Sequence, residues 1–392
     1  MKKFFAIGLV TLLASVLIIV AVFISISLSR LPNVALLKHY RPAAAAEVSD
    51  KDGNVLTQYF DRKFRIWIPI KELPDIVIKA VVTAEDDTFF EHHGVNYKAT
   101  WDALVVDVQK HRFARGGSTI TQQMIKNVFL SKEKTITRKL REYVLARKAE
   151  EILTKRQILQ IYLNEVEWGE NIYGIEAASR YYLDKHASEL TIGEAALLAG
   201  MLPNPRYYNP AKRPEKARER QERVLFNMQQ AKLITQEEYA EALAEPLKLR
   251  QDATSRFDFT ALTGIKERPC YQRVLEQLLV NIYGERGLYR GGMTIKTTID
   301  KALQEELSRQ EASSESTASK DPDHIIVLEQ EGQIRAIVCE EGREADLREK
   351  YGEPMPLSGH EIYSINTIAV DAVKPGQIVL PSPTPVSMTQ TP

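Results

Sequence analysis

The chain predicts a mainly α protein set behind one N-terminal membrane-crossing helix and followed by a small α+β segment. Three observations carry that expectation: an uncharged apolar run over 4–28, helical spacing of apolar residues in the chain that follows, and a period-two alternation over 293–299. With 392 residues the chain exceeds one typical domain, and its 44% hydrophobic content is enough to build a core. Its 52 basic and 52 acidic residues cancel, so no global field draws it to nucleic acid, which is not expected as a partner.

Met1-Lys2-Lys3 precede the apolar run, which as a helix reaches about 37 Å and crosses a bilayer with some tilt. A cleaved signal peptide has a shorter apolar region and a small-residue cleavage site close behind it. Ala43 to Ala46 lie too far downstream for that, so an uncleaved anchor over 1–30 is expected. Lys2 and Lys3 place the N-terminus on the cytoplasmic side, a vote that Arg30 and Lys38 weaken, and the rest of the chain then faces outward.

Beyond residue 47 the pattern is helical. Asp75 can cap a helix whose apolar positions Ile76, Val77, Ala80, Val81 and Ala84 share a face, which puts Glu85, Asp86 and Asp87 at its far end. Carboxylates there oppose the helix dipole by tenths of a kcal/mol to about 1 kcal/mol, so local stability does not explain them. A second helix starts after Gly116-Gly117, where Thr119 and Gln122 have capping-box spacing. Open amides at such a start can receive an anion, and Lys126 adds a positive charge two turns in. Arg138 and Glu142 stand four apart on a helix expected to run through Glu151; as a bare ion pair they contribute about 0.3–0.5 kcal/mol. The run 194–200 reads as a packing helix, 204–210 as a turn-rich stop, and 212–223 as a charged, solvated helix. Cys270 and Cys339 show no metal-ligand spacing, and nothing supports a disulfide between them.

Four short stretches, in order, carry more than their local structure needs. They are Glu85-Asp86-Asp87-Thr88-Phe89-Phe90-Glu91-His92-His93-Gly94; Gly116-Gly117-Ser118-Thr119-Ile120-Thr121-Gln122-Gln123-Met124-Ile125-Lys126-Asn127; Arg138-Lys139-Leu140-Arg141-Glu142; and Ile158 to Glu165 with Asn171 to Ser179. Together they resemble the motifs of the peptidoglycan glycosyltransferases, found in class A penicillin-binding proteins and their monofunctional relatives. The resemblance implies a lysozyme-like glycosyltransferase domain over 45–248. In it Glu85 is the general base, Glu142 a second essential carboxylate, and Arg138 a ligand of the donor's pyrophosphate, with Lys126 beside it. Asp86, Phe89, His92, Ser118, Thr119, Gln123 and Asn127 match motif positions that bind substrate or shape the cleft. Asn164, Gly174 and Ser179 match too, as architecture.

Such enzymes polymerise lipid II. The 4-hydroxyl of an N-acetylglucosamine joins the anomeric carbon of the growing chain's N-acetylmuramic acid with inversion, and undecaprenyl pyrophosphate leaves. A sugar hydroxyl is a poor nucleophile and needs a base; a departing diphosphate needs positive charge. The resemblance therefore implies lipid II and the growing glycan as partners, with other cell-wall-synthesis proteins besides. It also implies a magnesium or manganese ion as an optional aid, and a single-pass location in the bacterial inner membrane with the catalytic domain on the periplasmic side. A lipid-linked donor gives the anchor a purpose.

The distal chain resembles the connector, 249–300, that leads into a transpeptidase domain in bifunctional relatives. A polar, flexible stretch is expected over 308–323, then strands over 324–338, within a truncated transpeptidase-like segment at 301–380 and ahead of a disordered tail at 381–392. In the family a Pro-Gly pair precedes the Ser-x-x-Lys nucleophile. Here Pro375-Gly376 is followed by Gln377 and Leu380 in the serine and lysine positions, so no acyl-enzyme is expected. The alternatives are a non-catalytic scaffold for wall synthesis and a lysozyme-like lytic enzyme; the latter wants two free carboxyls roughly 5 Å apart.

Overall fold

The computed structural model describes residues 2–29, 31–61, 63–101, 117–130, 133, 135–169, 171–250, 270–313, 325–330, 333–338 and 355–357. By backbone contacts the chain divides into two compact units, Met1–Pro42 with Trp67–Ala253, and Ala43–Ile66 with Thr254–Pro392. A boundary at 45 read along the sequence therefore differs from the contact boundary, because the stretch 43–66 joins the distal chain.

The first unit is mainly helical, as predicted. Helix α1 (Lys2–Leu28) is apolar, exposed along most of its length, and long enough to cross a membrane. It is followed by α2 (Asp75–Glu85), α3 (Ile120–Phe129), α4 (Ile136–Ile152), α5 (Lys155–Glu165), α6 (Ile175–Leu183), α7 (Ile192–Met201), α8 (Pro214–Gln230) and α9 (Gln236–Ala244). Four of these starts are the same device, a threonine whose hydroxyl accepts an N–H three residues on while the Gln or Glu there reaches back: Thr119/Gln122, Thr154/Gln157, Thr191/Glu194 and Thr235/Glu238. Losing such a cap costs typically about 1 kcal/mol. Asp75 is not one of them; Pro74 occupies the cap, and Asp75 sits in the first turn, where its charge suits the dipole.

Helix α7 is buried from Gly193 to Met201, which fits a helix apolar all round, and α2 packs on it and on α8. The crossing of α7 and α8 is tight: a Cβ on Gly200 would lie 3.2 Å from the Arg220 backbone. Helix α8 buries one stripe, Ala217, Gln221, Val224, Leu225 and Met228, while Glu215, Glu219, Glu222 and Arg223 stay exposed, so the charged, solvated face expected over 212–223 forms opposite that stripe. Helix α3 packs on α4 and α5. Asn164 on α5 is fully buried, accepting from Ile68 N at 2.9 Å and donating to Ile68 O, the architectural part expected of it. At the other end of the unit, Arg141 of α4 donates from Nε to Ser27 O at 2.6 Å, tying α4 to the last turn of α1.

In the second unit, β1 (Ala46–Ser49) and β2 (Val55–Tyr59) pair antiparallel, and β3 (Thr294–Lys296) runs parallel to β1, giving the order β2-β1-β3. Asp50 shapes the β1–β2 turn by accepting from Asp52 N and Asn54 N at 2.8 and 2.7 Å. Helix α10 (Cys270–Arg290), kinked at Gly284, covers this sheet through Val274, Leu275, Leu278 and Leu279. Helix α11 (Lys301–Ser313) occupies the first part of the stretch expected to be flexible. The strands expected over 324–338 form as β4 (Ile325–Gln330) and β5 (Gln333–Val338), with β6 (Met355–Leu357) in the order β5-β4-β6. Gln304 of α11 clamps β5, accepting from Ile337 N and donating to Ile337 O, both at 2.9 Å. Residues 314–323, 339–354 and 358–392, including Cys339, Gln377 and Leu380, lie outside the described residues.

Candidate active site

The site sits in the first unit, where the end of α2 meets the starts of α3 and α4. Glu85 is the last residue of α2 and Asp86 its C-cap. The unfavourable position of the Asp86 carboxylate on its own helix is offset by the neighbouring one. Its Oδ2 accepts from Ile120 N at 2.9 Å, at the positive end of α3, and both its oxygens lie 3.0 Å from His92 Nε2. Thr119 donates to Gly94 O at 2.7 Å. Gly94 has φ +84, and a Cβ there would come within 2.7 Å of Ala146 O, so only glycine lets this loop lie against α4. Phe89 is fully buried, edge-on to His92, with Lys155 Nζ 4.4 Å above its ring.

These contacts correct one expectation. Two amides at the start of α3 are already taken, Ile120 N by Asp86 and Gln122 N by Thr119, so a carboxylate of this chain sits where an anion was expected. Asp86, Phe89, His92 and Thr119 hold the site together from behind.

Facing the site are Glu85, the exposed Asp87 and a group of cations. Glu85 is half-buried and accepts from Gln123 Nε2 at 2.7 Å. The amide is oriented by Tyr162, fully buried, whose hydroxyl donates to Gln123 Oε1 at 3.3 Å. Burial first, then the Glu85 and Asp86 carboxylates, push the Tyr162 phenol well up, so it stays a donor. Burial likewise raises Glu85 above the ordinary carboxylate value, against the Gln123 hydrogen bond and the charges of Arg220 and Lys126. Arg220, half-exposed on α8, is not singled out by the sequence, because the charge alternation there gives no sign that one arginine acts on Glu85.

Lys126 makes no side-chain hydrogen bond or ion pair among the described residues, and burial pulls its ammonium down, with Arg138 and Lys139 acting the same way and Glu142 and Glu85 opposing. It therefore stands within electrostatic reach of Glu85 on one side and of the Arg138 group on the other. Asn127 beside it also has its side chain free of hydrogen bonds among the described residues. Glu142 is 2% exposed, with Arg138 Nη1 at 2.5 Å on one oxygen and Lys139 Nζ at 2.6 Å on the other. Lys139 Nζ also donates to Ser118 Oγ at 2.7 Å. A cavity of about 200 Å³ opens beside Glu85, lined also by Asp86, Asp87, Asn96, Ser118 and Thr119. Thus Glu85, Gln123, Lys126, Arg138, Glu142 and Ser118 come together, from stretches up to 57 residues apart in sequence. Among the described residues no three His, Cys, Asp or Glu side chains gather as a metal site.

Residues 52–229 match the transglycosylase family model. The chain is 36% identical over 317 residues to penicillin-binding protein 1A of Aquifex aeolicus (strain VF5), covering 79% of this chain and 42% of that one. It is also 36% identical to penicillin-binding protein 1A of Neisseria meningitidis (strain DSM 15465 / Z2491), covering 72% and 34% respectively. The chain thus spans less than half the length of these curated relatives. A crystal structure of penicillin-binding protein 1A from Haemophilus influenzae aligns with 83% of this chain and 41% of that one at 20% identity and a TM-score of 0.36, too weak a likeness to bear on the fold. By the match and the identity together, the segment 52–229 belongs to the transglycosylase family, the peptidoglycan glycosyltransferase domain of class A penicillin-binding proteins.

Proposed function

We propose that this chain polymerises lipid II with inversion, Glu85 taking the proton of the attacking 4-hydroxyl while Lys126 and Arg138 steady the departing undecaprenyl pyrophosphate. The observation that carries this reading is a half-buried carboxylate, proton-hungry through burial, within electrostatic reach of an ammonium that has no ion-pair partner among the described residues. As the sugar C–O bond forms, the hydroxyl proton passes to Glu85. The anomeric bond to the diphosphate breaks on the opposite face, and the electron pair goes to the phosphate oxygen. Gln123 keeps Glu85 aimed and favours its ionised form. No all-protein metal cage is present among the described residues, and no step here passes through magnesium or manganese.

The occupied state of Glu142 supports transfer over lysozyme-like cleavage, since both its oxygens are engaged by cations and neither is free as a second acid. The anchor α1 would hold the domain at the surface that carries its substrate, with the domain on the periplasmic side. Gln377 and Leu380 leave the distal segment of this sequence without an acylating serine and its lysine.

The test is a gel assay of full-length protein with lipid II. Wild type is expected to yield polymer and undecaprenyl pyrophosphate, blocked by moenomycin-type inhibitors and untouched by β-lactams. Glu85→Gln is expected to lose about 10²–10⁴-fold in rate. Equal rates would remove Glu85 as the base.

A further inference from the structure

Lys155 is the first residue of α5, just behind its Thr154 cap, where a positive charge opposes the helix dipole. Helix stability does not account for it, and the transfer chemistry does not use it. Its ammonium nonetheless meets groups from two other parts of the chain. We infer that Lys155 is a positioning residue for the transfer, a single ammonium to which both partners of the Glu85–Gln123 hydrogen bond are tied. The inference rests on the proposed transferase reading and deepens it.

An ammonium has three protons and no lone pair. Lys155 Nζ lies 2.8 Å from both oxygens of Glu150, donates to His92 O at 2.6 Å, and faces the Phe89 ring at 4.4 Å from its centroid. Phe89 and His92 belong to the loop that leaves Glu85. The His92 ring carries the constraint back along that loop, because it holds the carboxylate of Asp86, the residue after Glu85. Glu150, on α4, also accepts from Thr121 Oγ1 at 2.6 Å. Thr121 is fully buried on α3, two residues before Gln123, whose amide aims Glu85. The base and the amide that directs it are thus referred, from opposite sides, to one atom of Lys155.

The Lys155 and Glu150 side chains are 21% and 5% exposed, so water competes little for the pair. Removing Lys155 alone leaves a buried carboxylate with Thr121 as its remaining partner among the described residues, and that is destabilising in itself. Neutralising both side chains removes this penalty, and a glutamine at 150 keeps an oxygen for Thr121. His92 O and Phe89 still lose the ammonium. The double variant therefore separates stability from positioning.

The experiment uses full-length protein in detergent and three readouts: unfolding temperature, kcat and KM for lipid II, and backbone hydrogen exchange over 86–94. Lys155→Met is expected to unfold at a lower temperature, and Lys155→Met with Glu150→Gln to recover most of that loss. Both are expected to lose about 10–100-fold in kcat, while KM stays within about threefold because Lys126 and Arg138 remain on α3 and α4. Exchange over 86–94 should be about tenfold faster in both. A double variant whose kcat returns with its stability overturns the inference, as does wild-type exchange over 86–94. Should Lys155→Met fail to fold, the double variant alone decides. Exchange needs no turnover, so a wild type that makes no polymer, with the loop loosened in the variants, sinks the transferase reading alone.

Discussion

At neutral pH the Glu85 carboxyl must be ionised in surroundings that favour its proton. Burial raises its pKa, and the acid limb of the pH–rate profile is expected above the ordinary value of 4.5. The same shift sets a stability effect. A carboxyl whose folded pKa is raised contributes fully below its unfolded pKa, and that contribution is lost as pH rises through the folded value. Glu85→Gln is therefore expected to unfold at a higher temperature than wild type at pH 7 and to lose that advantage below pH 4.5; a lower midpoint at pH 7 would contradict the burial argument. Lys126 has the opposite shift and a similar outcome. Its folded pKa lies below 10.5, so its contribution is full above 10.5 and is lost as pH falls through the lower folded value, where folding disfavours the charged form. Lys126→Met should raise the midpoint of the unliganded protein and abolish the rise that pyrophosphate gives wild type. That rise corresponds to about 2.7 kcal/mol at a hundredfold excess over Kd.

Helices place these residues, and their contacts can be broken one at a time. Gly94→Ala puts a Cβ against the backbone of α4 at a left-handed φ, where neither side can give way cheaply. A loss of about 1–3 kcal/mol is expected by denaturant titration, with polymerisation falling further because the same loop seats Thr119 and the start of α3. Arg141 offers a gentler cut. It grips Ser27 O at the end of the anchor, three residues from Arg138. Arg141→Ala should leave global stability within about 1 kcal/mol while raising KM for lipid II, and an unchanged KM would show that anchor and catalytic helix act independently. The four threonine capping boxes were legible as spacing alone, since the bonds they make are within one turn. Asp75 was misread for the same local reason: Pro74, one residue earlier, takes the cap.

For the molecule as a whole, a labelled penicillin is expected to form no stable adduct with this chain, and an adduct would overturn the account of Gln377 and Leu380. The sequence by itself determined the long apolar N-terminal helix, the helical class, the distal strands and the motif residues. Each of those is written in spacing, charge or residue type over a few turns of chain. Only the tertiary structure decided that the stretch 43–66 pairs with strand Thr294–Lys296, that Asp86 fills the helix start expected to bind an anion, and that Arg220 and Lys139 join the site. Those facts depend on which groups approach across 34 residues, as for the Asp86 carboxylate and the Ile120 amide, or on charges that act across more than a hundred, as for Arg220 on Glu85. Long-range pairing of that kind is set by packing, and helical periodicity carries no record of it.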